Sequence, residues 1–478
     1  MFLRYETSLR DPLYDYIPCT RLELTIIDTK TFQRLKRINQ TTGARFVYPG
    51  AEHSRFSHSL GVMHLAGKMA ERLLVSDKLE KGFCATEKLQ EICKKGIEGF
   101  PEVKTLSDDM CEIARKIEVV RLAGLLHDLG HCGFSHTLEP ILKQYQKVDH
   151  EEMTLNILEN SSNNEIKEAF DNSDEAKRLN IKVADIVELL KKETKEDKYL
   201  CEIISGTIDV DKIDYISRDA FHTGTIEYGA VDAERLTESL EIHGNSLIPN
   251  SSAVETVIAF WQARFHMFSA VYYHRVARAM EIIIRNMVDQ FIRQYQKMED
   301  KEKPKTVLSN FAKISSIDDY LLLDDFSVVS EFSRLRRDGY RFDLAFKFFD
   351  MYLKRQPLTV VDEYRPGQVD DATWKMLTDH NKLEAMEEEI AKLSGVPKDF
   401  IFVDAPPEVC IKVNPVFGKS LRDIVVYHKK TGKIGPIEEF DKETVEALST
   451  LRGIIRIYTL DEYSSQVSKG YEEYKKNM

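Results

Sequence analysis

Apolar positions recur at helical spacing along most of the chain. Over residues 54–74, His58, Val62, Leu65 and Met69 fall at i, i+4, i+7 and i+11, the core stripe of a long helix. Over residues 110–129 a second stripe runs through Ile113, Ile117, Val120, Gly124 and His127. Each stripe thus carries a histidine on a face that is otherwise apolar or glycine. A shorter helix is predicted over 28–40, capped by Asp28 or Thr29, with Phe32, Leu35 and Ile38 on one side. Helices are also expected over 181–192, 199–204, 210–221 and, as one long stretch, 253–298. Residues 76–110 are charged and irregular, and 160–180 read as a polar insertion or surface loop. Residues 300–320 and 356–372 read as connections.

The pattern changes near residue 398. Residues 400–404, 424–428 and 454–458 are rich in β-formers, with a turn at Thr431-Gly432-Lys433 and a helix near 442–451. The fold class is therefore mainly α: a helical core over 1–300, a helical extension over 301–397 and a small α+β C-terminal lobe over 398–478, without internal repeats.

Composition narrows the classes. With 42% hydrophobic and 31% charged residues, the 478-residue chain has a globular profile. A net charge of −12 argues against broad nucleic-acid binding, but a local basic pocket or a metal can still hold an anionic small substrate. Seven cysteines at irregular spacing, with no Cys-x-x-Cys, indicate free thiols in a reducing compartment. No apolar run reaches membrane length, and residues 1–10 lack the apolar core of a signal peptide, so the expected location is cytoplasmic.

Candidate chemistry centres on Leu-Leu-His127-Asp128-Leu-Gly-His131. An adjacent His and Asp at a helix end can reach one cation, and Gly130 is expected to supply that end. Imidazole plus carboxylate suits Fe, Mn, Zn, Ni or Co with open coordination positions; a closed zinc site would want sulfur. Further ligands are sought at His58 and at Asp211, in Asp209-Val-Asp211-Lys-Ile-Asp-Tyr215. Each has a plainer reading. A histidine on an apolar face is usually a satisfied core residue, a lone His-Asp pair is often structural, and an Asp-rich helix start is usually a solvated cap.

The order His…His-Asp…Asp and its flanks carry a resemblance. Phe32-Gln-Arg-Leu-Lys36, Tyr48-Pro-Gly-Ala-Glu-His-Ser-Arg-Phe-Ser-His58-Ser-Leu-Gly-Val62, Ala123-Gly-Leu-Leu-His127-Asp128-Leu-Gly-His131-Cys-Gly-Phe-Ser-His136 and Asp209-Val-Asp211-Lys-Ile-Asp-Tyr215-Ile-Ser-Arg-Asp219 resemble the SAM-and-HD-domain dNTP triphosphohydrolases and their microbial relatives. The likeness is strong over about 10–285 and extends more weakly to Asp399-Phe-Ile-Phe-Val-Asp404. No SAM module is expected ahead of it.

The resemblance implies an HD-domain helical core that hydrolyses a dNTP to deoxynucleoside and triphosphate. By it, His58, His127, Asp128 and Asp211 hold the metal, with Mg accompanying the nucleotide phosphates. His131, His136, His150 and Glu151 line the catalytic side, Glu151 orienting His150, and His136 or His150 protonates the leaving oxygen. Arg55 contacts phosphate; Lys212, Tyr215, Asp219 and Arg264 grip triphosphate and sugar; Gln40 touches the sugar and Tyr272 packs beneath it. Asp28, Gln33, Lys36, Asp232, Arg235, His274, Arg275 and Arg355 resemble a regulatory GTP or dNTP site between the subunits of a homodimer or homotetramer. Thr359 departs from the expected lysine there. Phe268 stands where a His is expected and Tyr273 where a Gln is, which leaves base and sugar selectivity open. Two other readings remain: a different HD-type nucleotide phosphatase or phosphodiesterase, and a nucleotide-binding regulatory protein without turnover.

Overall fold

The computed structural model describes residues 3–80, 108–160, 164–194, 197–365, 368, 374, 379–406, 421–449 and 454–477. Most of the charged 76–110 stretch, and Cys84, Cys93 and Cys410, therefore lie outside the described residues. Helices Arg55–Glu80 and Asp108–Leu126 pack together at the centre. Val62, Leu65 and Met69 on one and Ile113, Ile117 and Val120 on the other are buried. Each such side chain contributes about 1.5–3 kcal/mol. Gly124 sets the approach: a Cβ there would lie 3.2 Å from the Val62 carbonyl and the Met63 amide. Small residues at such a crossing let two backbones meet closely.

Around this pair sit a hairpin of Tyr5–Asp11 and Asp15–Thr20, a helix Arg21–Ile27 opened by a Thr20/Glu23 capping box, and the helix Val210–Thr223. The expected helix over 28–40 is shorter. Thr29 caps Lys30–Gln33, the chain tightens into a 3-10 turn over Arg34–Arg37, and Asp28 ends the preceding helix. The expected loop over 160–180 contains two helices, Glu165–Asn172 and Asp174–Leu179, whose N-caps are Asn164 and Ser173. Asn, Ser and Asp favour caps and turns alike, so the polar run concealed the buried stripe of Ile166, Phe170, Ala176 and Leu179. The expected long helix over 253–298 is broken. Val254–Met267 passes into a π-turn at Phe268–Tyr272, and Arg275–Lys297 starts anew with the His274 side chain capping Val276 N.

The C-terminal sheet recruits a strand from the expected connection at 356–372. Thr359–Tyr364 pairs antiparallel with Ile455–Thr459, whose other edge pairs antiparallel with Ile401–Asp404 (Val403 opposite Ile457). Helices His380–Ser394 and Ser464–Asn477 cover it through Met386, Ile390, Val467 and Tyr471. The turn at 431–433 joins Val425–His428 to Lys433–Pro436, with Gly432 at φ +69°. The lobe is tied to the core by Arg278, which donates to both oxygens of Asp404 at 2.9 and 2.6 Å. The fold is mainly α, and no helix among the described residues is long and apolar enough to cross a membrane.

Candidate metal centre and active site

Helix ends and helix faces bring the candidate ligands together. His58 lies in the first turn of Arg55–Glu80, Asp211 in the first turn of Val210–Thr223, and His127 and Asp128 in the turn after Leu126. The helix thus stops before the His-Asp pair, and Gly130 is not its left-handed cap. Glycine is needed there for close approach instead: a Cβ at 130 would stand 2.0 Å from His150 O and 2.4 Å from Thr154 N. Thr154 fixes this turn, donating to His127 O (2.9 Å) and accepting from Gly130 N (2.8 Å). The Arg34 guanidinium donates to Leu129 O (3.3 Å) and His131 O (2.7 Å), and Tyr320 OH donates to Gly130 O (2.5 Å).

The donor atoms of His58, His127 and Asp211 lie within 4.8 Å of one another, close enough to ligate one ion, and Asp128 lies beside both histidines. His58 Nε2 is 3.1 Å from Asp211 Oδ1 and 3.6 Å from Asp128 Oδ2. His127 Nε2 is 3.3 Å from Asp128 Oδ1 and 3.7 Å from Asp211 Oδ1. Neighbouring donors about 2.1 Å from a shared cation stand about 3 Å apart in an octahedron. His127 Nδ1 meets the Gly124 carbonyl at 2.8 Å. A carbonyl only accepts, so Nδ1 carries the proton and the lone pair falls on Nε2, a buried atom without a hydrogen-bond partner. Electrostatics agree. Burial disfavours protonated His58, yet Asp211 and Asp214 push its pKa up to about 10. Burial would raise the Asp128 carboxyl, but Arg55, His127 and His131 hold it well below the usual range; His127 and His58 likewise lower Asp211 against burial. Such a concentration of anionic and imidazole donors could hold a divalent metal.

Beside it lies a second set of imidazoles. His131 stacks on His150 at 4.1 Å between centroids, and His136 stands edge-on to His131 at 4.6 Å. Glu139 is hydrogen-bonded to His136 Nδ1 at 2.8 Å and lies within ion-pair distance of His150 Nδ1, 3.3 Å away. These imidazoles hold its carboxyl far below the usual range despite burial. Burial opposes His150 protonation, but Glu139 raises its pKa; burial together with Arg55 keeps His131 well below the ordinary value. The expectation that Glu151 orients His150 is corrected: successive helical residues diverge by about 100°, and Glu151 is exposed. Sequence reasoning missed Glu139, although the i, i+3 spacing of His136 and Glu139 on a turn leading into a helix was a usable signal.

The other candidate site residues make contacts of their own. Arg55 is buried and donates to Asp128 Oδ2 (2.6 Å) and Ser135 Oγ (2.8 Å). Lys212 pairs with Asp209 and donates to Gly206 O at 3.1 Å. Arg264 Nε donates to Tyr215 OH at 3.3 Å, and its guanidinium lies over the Phe268 ring at 4.7 Å. Tyr272 OH donates to Asp219 Oδ2 at 2.6 Å, while His53 meets Asp219 Oδ1 at 2.7 Å. Phe268 packs edge-on against Tyr272 at 4.7 Å and Tyr273 at 5.5 Å. Gln40 N donates to His53 O at 3.0 Å, and its Oε1 is buried without a partner.

The residues grouped as regulatory are scattered. Asp28 and Lys36 are exposed beside Gln33, whose Nε2 donates to Ile27 O at 2.7 Å. Asp232 caps Ala233–Ser239, and Arg235 reaches Thr256 Oγ1 at 3.0 Å. His274 and Arg275 open their helix, and Arg355 donates to Phe46 O at 2.6 Å. Arg235 N donates to Asp232 Oδ1 at 2.9 Å, but among the described residues no hydrogen bond or ion pair joins one of these segments' residues to another's.

A His/His-Asp/Asp centre on packed helices defines the HD class. An HD domain matches residues 55–219 and an HD-associated region matches residues 231–331, so the chain carries an HD domain followed by its associated region. It is 28% identical over 304 residues to the deoxynucleoside triphosphate triphosphohydrolase SAMHD1 homolog of Dictyostelium discoideum, covering 62% of this chain and 52% of that protein. It is 27% identical to the uncharacterized protein YwfO of Bacillus subtilis, over 73% of this chain and 72% of that one. The fold matches a phosphohydrolase structure from Bacteroides thetaiotaomicron with TM-score 0.64 at 22% identity, over 95% of this chain and 98% of that chain. The match spans about half the length of the Dictyostelium relative.

Proposed function

We propose that the protein is a metal-dependent deoxynucleoside triphosphate triphosphohydrolase, with His58, His127, Asp128 and Asp211 holding an Fe, Mn, Zn, Ni or Co ion and Mg accompanying the nucleotide phosphates. The carrying observation is the run of Asp211, Lys212, Tyr215 and Asp219 along one helix, from the candidate metal position to the Tyr272 phenol. Homology to proteins named as dNTP triphosphohydrolases supports the same substrate class. When bound, the cation supplies Lewis acidity and positive charge at the phosphoryl group. Lys212, Arg264 and Arg55 oppose the charge that develops as the bond from the α-phosphorus to the 5′-oxygen breaks. His136 or His150, beside Glu139, delivers the proton that the departing 5′-oxygen requires. Tyr272 and Asp219 hold the sugar, with Gln40 at its edge. A cytoplasmic setting suits the unpaired Cys19, Cys111, Cys132 and Cys201.

Activation by GTP or a dNTP follows from the same reading. Asp28, Gln33 and Lys36, Asp232 and Arg235, His274 and Arg275, and Arg355 stand on four separate segments, and among the described residues no hydrogen bond or ion pair joins one of these segments' residues to another's, which suits a site completed between copies in a homodimer or homotetramer. The test is product analysis with metal-loaded protein and dGTP, with and without GTP. Deoxyguanosine plus triphosphate is expected. Orthophosphate or pyrophosphate would indicate a different HD-type phosphatase or phosphodiesterase. No turnover across a nucleotide panel would indicate a binding protein.

A further inference from the structure

His58 and His127 have different partners on their inner nitrogens. His127 Nδ1 faces the neutral carbonyl of Gly124 at 2.8 Å, whereas His58 Nδ1 faces a carboxylate, Asp214 Oδ2, at 2.8 Å. Asp214 sits one helical turn beyond Asp211, so one helix face presents a candidate ligand and, behind it, a second acid. Asp214 is fully buried and its carboxylate is fixed from several directions. Arg218, four residues on, donates Nε to Oδ2 and Nη2 to Oδ1, both at 2.9 Å. Tyr14 OH donates to Oδ1 at 2.8 Å. Arg218 is held in turn by Asp11 Oδ2 at 2.8 Å, and Asp11 Oδ1 accepts from Leu13 N and Tyr14 N. The N-terminal hairpin thereby reaches the imidazole of His58.

The helix carrying His58 leaves space for this acid. Gly61 lies one turn after His58, and a Cβ there would stand 1.9 Å from Asp214 Oδ1 and 2.5 Å from Arg218 Nη2. A buried ion-pair network of this kind contributes little net stability over a well-packed apolar alternative. Its geometry has a chemical consequence, however: a carboxylate only accepts, so when a cation displaces the proton from Nε2, which faces Asp128 and Asp211, the remaining proton is held on His58 Nδ1.

We propose that Asp214, held by Arg218 and Tyr14, is a positioning residue for the metal centre that fixes the tautomer and orientation of His58. The proposal rests on reading His58 as a metal ligand. The probe is Mn²⁺ alone, titrated into metal-free protein and followed by the EPR signal of the free ion, with circular dichroism and thermal melting recorded on each variant. Asp214→Asn keeps the shape but loses the obligatory acceptor, since its amide can turn an N–H toward His58 and draw the proton onto Nε2. It is expected to weaken Mn²⁺ binding about 10–100-fold at unchanged helix content. Tyr14→Phe leaves the carboxylate in place but less constrained, and is expected to weaken binding in the same direction by less than about tenfold. Wild-type affinity in both variants, with binding lost in His58→Ala, would overturn the role of Asp214 and leave the metal centre standing. If Asp214→Asn does not fold, Tyr14→Phe decides: lower melting with unchanged Mn²⁺ affinity overturns the proposal. Equal Mn²⁺ binding by wild type and His58→Ala would overturn the metal-centre reading itself.

Discussion

A histidine in a helical stripe becomes a candidate ligand once its inner nitrogen is occupied. Helical phase alone placed His58 and His127 on inward faces, but not the partners that fix their protons, because Gly124 O is backbone and Asp214 comes from another helix. Glu139 was legible only in part, since its i, i+3 spacing pointed to His136 but not to His150. Its role follows from a turn that returns His150 to His136, a meeting of segments that spacing cannot give. Glu139→Gln should lower kcat about 100-fold with little change in KM, since it frees the imidazole that would deliver the proton and not the phosphate contacts. Glu151→Gln, at an exposed position, should stay near wild type. Steady-state kinetics of the two variants with dGTP checks both; the reverse ranking would reject the assignment.

At the scale of elements, the long amphipathic helices were legible because their apolar faces are continuous over many turns. Short helices beginning with Asn, Ser or Asp were not, because the same residues favour turns; the helices at 165–179 are the instance. The break at Phe268–Tyr272 has no turn residue to announce it. The turn after Leu126 is held by side chains from elsewhere, Thr154 among them. Thr154→Val preserves shape but removes two hydrogen bonds around His127 and Gly130, leaving a buried N–H unpaired. A loss of about 1–3 kcal/mol is expected by chemical denaturation, together with reduced activity. Unchanged stability would show that the turn does not depend on Thr154. Gly130→Ala should be worse, because His150 O and Thr154 N occupy the space of its Cβ.

Across the whole molecule, the mainly α core and the β-rich tail were both visible in the pattern of the chain. The edge strand Thr359–Tyr364 was not, since its Lys-, Pro- and Asp-bearing surroundings read as a connection. In that lobe, Glu387 accepts from Val403 N at 2.9 Å, closing the edge of Ile401–Asp404. Burial raises its pKa from 4.5 to about 7. The fold therefore favours the neutral acid: this contribution is complete below pH 4.5 and is lost as pH rises through about 7. Glu387→Gln should melt a few degrees above wild type at alkaline pH, with the gap closing as pH falls toward 5, an effect of roughly 1–2 kcal/mol. Melting curves across that range check it, and a gap that widens on acidification would contradict it.

The proposed chemistry depends on His58, His127, Asp128 and Asp211, from three segments, holding one metal ion. Metal content by elemental mass spectrometry, compared between wild type and the His127→Ala, Asp128→Ala double variant, tests this directly. About one transition-metal ion per wild-type chain and none in a variant that remains folded is the predicted result. A folded double variant that keeps its metal would contradict the account.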